Sequence, residues 1–287
     1  MKKCYIPSCR RDLPSILTGE YVMKKFFAAV VSVAALSGSL FADGVEFKLE
    51  KPADWKNTGS LKWVGKDKDT MEVTGSAMLS STKLFDVDVN KKYKLEADVK
   101  KISGGPAMTY FGFEAYDKDG VAIPAAAVNA RLKSETPVVS SAKIGSKTLL
   151  LKDNPNWNPA GIHAVALNAK ENLSDLPNRD LLVVTGVKKV GSHIEVTLNE
   201  PLDKAVAAGT IVRAHLGGGY MYSGGWKNIT AGQKVEFKGV AKGLATYGMG
   251  SVSWAPGTAK ARVIMLVNWN NPKSVVQIDD VELEIEK

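Results

Sequence analysis

Three short stretches concentrate the side chains that could do chemistry. The first, GGGYMYSGGW, sets Tyr220, Tyr222 and Trp226 among glycines. Glycine permits close approach, so these aromatics are either presented at a loop or strand edge or packed inside. The second, Met108 to Tyr116, puts Phe111, Phe113 and Ala115 on one parity and Tyr110, Gly112, Glu114 and Tyr116 on the other. The third, Ala261 to Trp269, is an apolar run interrupted by Arg262 and Asn268. A charge inside such a run is costly unless paired, so Arg262 either meets a carboxylate such as Glu114 or faces a ligand. The chemistry on offer is recognition: aromatic faces for stacking, with hydroxyl, carboxylate, guanidinium and amide groups for hydrogen bonds.

Machinery for a reaction is missing from the same reading. His163, His193 and His215 are scattered without metal-ligand spacing, and there is no G-x-S-x-G, phosphate loop or H-E-x-x-H. A glycosidase needs two carboxylates about 5 to 10 Å apart. In a chain with 30 acidic residues such pairs arise by chance, so they distinguish nothing. The expectation is a protein that is not an enzyme.

The elements that must position these residues read as strands. Lys92 to Lys100 alternates Tyr93, Leu95, Ala97 and Val99 with charged residues, the period of a half-buried strand. Ala261 to Trp269 reads as a strand buried on both faces, with Trp269 on the core parity of Val263, Met265 and Val267, and Val275 to Glu286 alternates again. Trp254 and Trp157 read as packing residues, as does one of Trp55 and Trp63. Helical periodicity is nearly absent, so the fold class is all-β: a sandwich or barrel. Between 135 and 215 aromatics fall to Trp157 alone, and short strands are expected at 147–152, 163–168, 181–190, 194–198 and 211–215. That texture implies a small β-barrel or β-clip inserted into a discontinuous sandwich of 43–134 plus 216–287.

Composition agrees with this reading. Apolar residues at 45% and charged residues at 24% exclude a disordered chain. The formal net charge is +8, and the first 42 residues, with six Lys/Arg against two Asp/Glu, hold half of that excess. The remainder gives no reason to invoke nucleic acid. From Met23, MKKFFAAVVSVAALSGSLFADG has the basic, apolar and small-residue regions of a bacterial secretory signal peptide, 23–42. Residues 1–22 read as an upstream start placed too early. Both cysteines, Cys4 and Cys9, lie there, so the mature chain has none. The apolar stretch is about 15 residues, short of the roughly 20 that span a bilayer, so no membrane span is expected after cleavage. The expected location is secreted, extracellular or periplasmic.

The ordered set KYKLEADVKKISG (92–104), YFGFEAYDKDG (110–120), WAPGTAKARVIMLVNW (254–269) and VVQIDDVELE (275–284) resembles carbohydrate-binding modules of the family 4/9 type, within the galactose-binding-like jelly rolls. The resemblance implies a jelly-roll β-sandwich that binds an oligo- or polysaccharide along a sheet face. A pyranose offers an apolar C–H face to an aromatic ring, while its hydroxyls need donors and acceptors. On that basis the ligand-binding candidates are Tyr110, Glu114, Tyr220, Tyr222, Trp226, Arg262 and Asn268. The resemblance also implies a structural Ca²⁺ with Glu46 and Asp280 in the corresponding places, oxygen ligands suiting that ion; no cofactor is required. The alternative is a structural or adhesive protein using the same fold to contact an extracellular protein partner.

Overall fold

The computed structural model describes residues 45–56 and 60–286, apart from the side chains of 226–228. The segment 1–22 read as an upstream start and the segment 23–42 expected to be an export signal lie outside the described residues.

Alternation of apolar and polar side chains makes strands because each side of a strand serves one environment. In β7 (Lys92–Ser103), Tyr93, Leu95, Ala97 and Val99 are buried while Lys94, Glu96, Asp98 and Lys100 face outward. β7 lies in an antiparallel sheet of order β16 (Lys234–Ala241), β7, β18 (Val275–Glu286), β4 (Thr70–Thr74) and β3 (Leu61–Val64), with β1 (Val45–Lys48) also on β18. Its outward side is a lattice of lysines and carboxylates, and we call it the charged sheet. The second sheet has the order β15 (Met221–Ile229), β8 (Ala107–Tyr116), β17 (Lys260–Trp269), β5 (Ala77–Ser81) and β2 (Trp55–Lys56), with β6 (Phe85–Asp86) also on β17. It carries the tyrosines, and we call it the aromatic sheet.

The chain crosses repeatedly between the two sheets, from β7 to β8 and then through β15, β16, β17 and β18. The result is an all-β, jelly-roll-like sandwich. Its core joins Leu95, Val99, Phe111, Phe113, Val263, Met265, Ile278 and Leu283. Trp254 is fully buried among them, its ring 5.0 Å from both Tyr93 and Phe113. Trp55 is also in this core. Trp269 departs from its expected core position and is 39% exposed. The register of β17 against β8 shifts between Leu266 and Trp269, and Asn268 sits at φ +51°, so the parity inverts there.

The strands of a third sheet all lie within residues 136–216: β10 (Thr148–Lys152), β13 (His193–Leu198), β12 (Leu181–Val190), β11 (Ile162–Leu167), β14 (Ile211–Leu216) and β9 (Thr136–Pro137); β14 is also bonded to the segment before it, Arg131 N donating to Ala214 O and Leu216 N to Asn129 O, each at 2.9 Å. It closes on itself where Val139 N donates to Leu150 O at 2.8 Å. Leu149, Leu151, Val165, Ile194, Val196 and Val212 fill the barrel. Trp157 caps this core, with Nε1 donating to Ser134 O at 2.6 Å.

The barrel is fastened to the sandwich by a buried polar seam. Arg213 and His215 alternate with the inward Val212 and Ala214, so they point out of the barrel, yet both are fully buried. Residues 122–131, including the one-turn α1 (Ala125–Val128), and the loop 169–178 cover them. Arg213 holds Asp175 with two nitrogens, at 2.6 and 3.3 Å, and donates to Lys170 O at 3.0 Å. Its Nε donates to His215 Nε2 at 3.1 Å. Arginine has no lone pair to offer, so Nε2 is the acceptor and the imidazole proton sits on Nδ1, which donates to Ala126 O at 2.6 Å. Burial depresses the His215 pKa to about 4. Arg179 extends the seam, reaching Ala122 O at 2.7 Å and Asp117 Oδ2 at 2.5 Å in the turn after β8.

Candidate functional site

The outer side of the aromatic sheet gathers most of the sequence candidates. The register sets them in rows across the strands. Tyr222 of β15 faces Gly112 of β8, which faces Ile264 of β17, which faces Ser80 of β5. The next row runs from Gly225 through Tyr110 and Leu266 to Met78. Arg262 lies opposite Glu114.

Three tyrosines form a continuous group. The rings of Tyr110 and Tyr222 are 5.1 Å apart at 36°, and Tyr220 meets Tyr222 edge-on at 6.3 Å. Tyr110 Oη reaches back along its own strand to Met108 Sδ at 3.0 Å. The ring therefore leans along its own strand and stays partly exposed. Its hydroxyl is spent only on a thioether, a weak acceptor. Gly112 is required by crowding: a Cβ there would stand 1.9 Å from Met221 O. No side chain therefore separates Tyr222 from Ile264. Tyr220 and Tyr222 both stay partly exposed, and burial raises both pKa values.

Beside the tyrosines is a compact polar group. Tyr116 Oη donates to Glu114 Oε2, and Arg262 Nε stands 3.4 Å from the same oxygen. The Arg262 guanidinium also lies over the Tyr116 ring, Cζ 4.7 Å from its centroid. Burial, reinforced by the Glu114 carboxylate, pushes the Tyr116 phenol well above the ordinary tyrosine range. Arg262 Nε–H has no hydrogen-bond acceptor among the described residues. The group thus offers a fixed carboxylate and a guanidinium next to an aromatic platform.

One expected member, Asn268, does not join. Asn268 is fully buried, and its Nδ2 is shared among Val73 O, Gly75 O and Ser274 O at 3.1 to 3.3 Å. It organises the turns at the sandwich end and has no donor left for a ligand. Trp226 pairs through its backbone with Thr109, and its side chain lies outside the described residues.

The calcium pair does not fit together either. Glu46 lies opposite Glu284, four residues along β18 from Asp280, or roughly 12 Å. Glu46 is instead 3.6 Å from Lys48. Asp280 occupies a bulge at φ +49°. Among the described residues no group of three or more His, Cys, Asp or Glu could hold a metal ion.

Sequence reasoning passed over the floor of the platform. Met108 shares the parity of Tyr110, and Ile264 and Leu266 share that of Arg262, so strand alternation carried the signal. Met78 could be assigned only once β5 was known to pair with β17.

No protein-family profile and no curated protein matches the chain. Among solved structures, it is similar to the CBM22-1 xylan-binding domain from Paenibacillus barcinonensis Xyn10C, at 11% identity and a TM-score of 0.33, over 87% of this chain and 99% of that one. A likeness at that level carries no argument about ligand, which rests on the site itself.

Proposed function

We propose that this chain is an exported, non-catalytic β-sandwich protein that binds a carbohydrate on the outer side of its aromatic sheet. The observation that carries this reading is the platform: Tyr110 laid along the sheet against Tyr222, beside the Glu114–Tyr116–Arg262 group. A sugar ring needs an apolar surface for its C–H face and oriented polar groups for its hydroxyls, and the two are adjacent here. Export is supported by the basic, apolar and small-residue order of residues 23–42. N-terminal sequencing of secreted protein tests that part, with a start at Asp43 or within a few residues of it expected.

Affinity electrophoresis against a panel of polysaccharides tests the ligand. Retardation by at least one polymer is expected, and Tyr110→Ala and Tyr222→Ala should each lower affinity about tenfold while leaving the fold intact. Retardation by none would overturn the assignment.

A second reading, contact with a protein partner, is favoured by a different feature. The loop between β16 and β17 exposes Leu244, Tyr247 and Val252, at 54%, 44% and 63%. Sedimentation of the secreted protein tests self-association through this loop, which Val252→Asp would abolish.

A further inference from the structure

The outer sides of the two sheets differ in a way the tyrosines alone do not explain. An antiparallel sheet that faces water on one side carries polar residues there. The charged sheet obeys this, its β7 presenting Lys94, Glu96, Asp98 and Lys100 in succession. On the aromatic sheet, the ground beside the tyrosines, running from β8 across β17 to β5, is instead made of Met108, Ile264, Leu266 and Met78. Ile264 is fully buried, and the other three remain partly exposed.

A glycan displaying only hydroxyls would find few partners on this ground. Leu266 and Ile264 offer none, and the two thioethers offer weak acceptors. Thioether and branched aliphatic groups suit methyls, and methionine adapts to irregular apolar shapes. Four side chains fall well short of the roughly 800 Å² per partner that a stable protein interface buries. The apolar ground is continuous with the tyrosine platform through the Tyr110–Leu266–Met78 row, so one ligand can occupy both.

We propose that the carbohydrate recognised here carries short apolar ester substituents, O-acetyl groups above all, whose methyls rest on Leu266, Met78 and Met108 while the sugar ring stacks on Tyr110 and Tyr222. This rests on the carbohydrate reading above and names the class of glycan.

The test uses acetylated xylan, acetylated glucomannan and acetylated pectin, each beside the same polymer after mild alkaline saponification. Titration of the mature protein should show one native polymer binding more tightly than its saponified form, by about fourfold for each seated methyl. Leu266→Asn should reduce native-polymer affinity to that of the saponified polymer without changing the latter. Met78→Thr gives the same comparison should Leu266→Asn fold poorly. Equal or tighter binding of the saponified polymer, still lost in Tyr222→Ala, would overturn the ester proposal and leave the carbohydrate reading standing. Binding of no polymer in either form would remove both.

Discussion

Arg262 of β17 sits directly opposite Glu114 of β8, Nε 3.4 Å from Oε2, with Tyr116 donating to that same oxygen. One carboxylate therefore holds a cation and a phenol together on an otherwise apolar sheet surface. Removing the cation leaves Glu114 mostly buried and uncompensated. Arg262→Ala should lower stability by about 1–3 kcal/mol, read from urea midpoints. Glu114→Gln should move the Tyr116 phenol back toward the ordinary tyrosine range, since it removes the charge that adds to the effect of burial. Ultraviolet titration of the phenolates would detect this, and an unchanged titration curve would refute the arrangement.

His215 makes the barrel seam acid-sensitive. Its pKa falls from 6.5 to about 4 on folding because the neutral ring is buried and accepts from Arg213. Between those two values the unfolded chain binds more protons than the folded one, so stability rises with pH. The contribution is complete above about pH 6.5 and is lost as pH falls toward 4. Its size is on the order of 3 kcal/mol. Asp175, held below the usual carboxylate range by Asn178 and Arg213 against the opposing effect of burial, adds loss in the same direction at lower pH. Urea midpoints across this window should slope in the wild type and flatten between pH 6.5 and 4 in His215→Gln.

Asn268 is a structural residue, and two substitutions separate its contributions. Asn268→Gly keeps the φ of +51° accessible but gives up the contacts to Val73, Gly75 and Ser274. Asn268→Ala loses the contacts and also strains the backbone. Alanine should be the worse of the two by about 1 kcal/mol. Carbohydrate affinity of the folded fraction should be unchanged in both, and a selective loss of affinity would return Asn268 to the site.

Gly112 sets how closely β15 approaches β8. Gly112→Ala would place its Cβ 1.9 Å from Met221 O and 2.8 Å from Tyr222 Cα, so the strands must part. Overpacking of this kind costs about 1–3 kcal/mol. The Tyr110–Tyr222 contact should weaken with it, and near-ultraviolet circular dichroism should lose the corresponding tyrosine signal. A native spectrum at native stability would show that the crowding is absent.

Much of the strand content was legible because alternation is a local property. Leu181–Val190 and Val275–Glu286 have the bounds their sequence patterns predict. The parity of Tyr110, Glu114 and Tyr116 was readable for the same reason, as was the partnership of Arg262 with a carboxylate such as Glu114. Parity failed at Trp269 and Asn268, where a bulge and a left-handed residue reverse it. Nothing in a run such as IMLVNW announces such a reversal, since it depends on which carbonyls from distant turns converge on the asparagine. The seam around Arg213 was equally hidden, because Arg213, Asp175 and His215 meet only when the loop 169–178 folds over the barrel.

The amino-acid sequence by itself determined that this is an all-β protein and which residues share a side of each strand, because side-chain direction follows from the two-residue repeat of the extended backbone. Only the tertiary structure decided which strands lie side by side. That choice depends on the joint burial of residues far apart in the chain. It put Tyr222 beside Tyr110 and Met78 beside Leu266, and it left Asp280 far from Glu46.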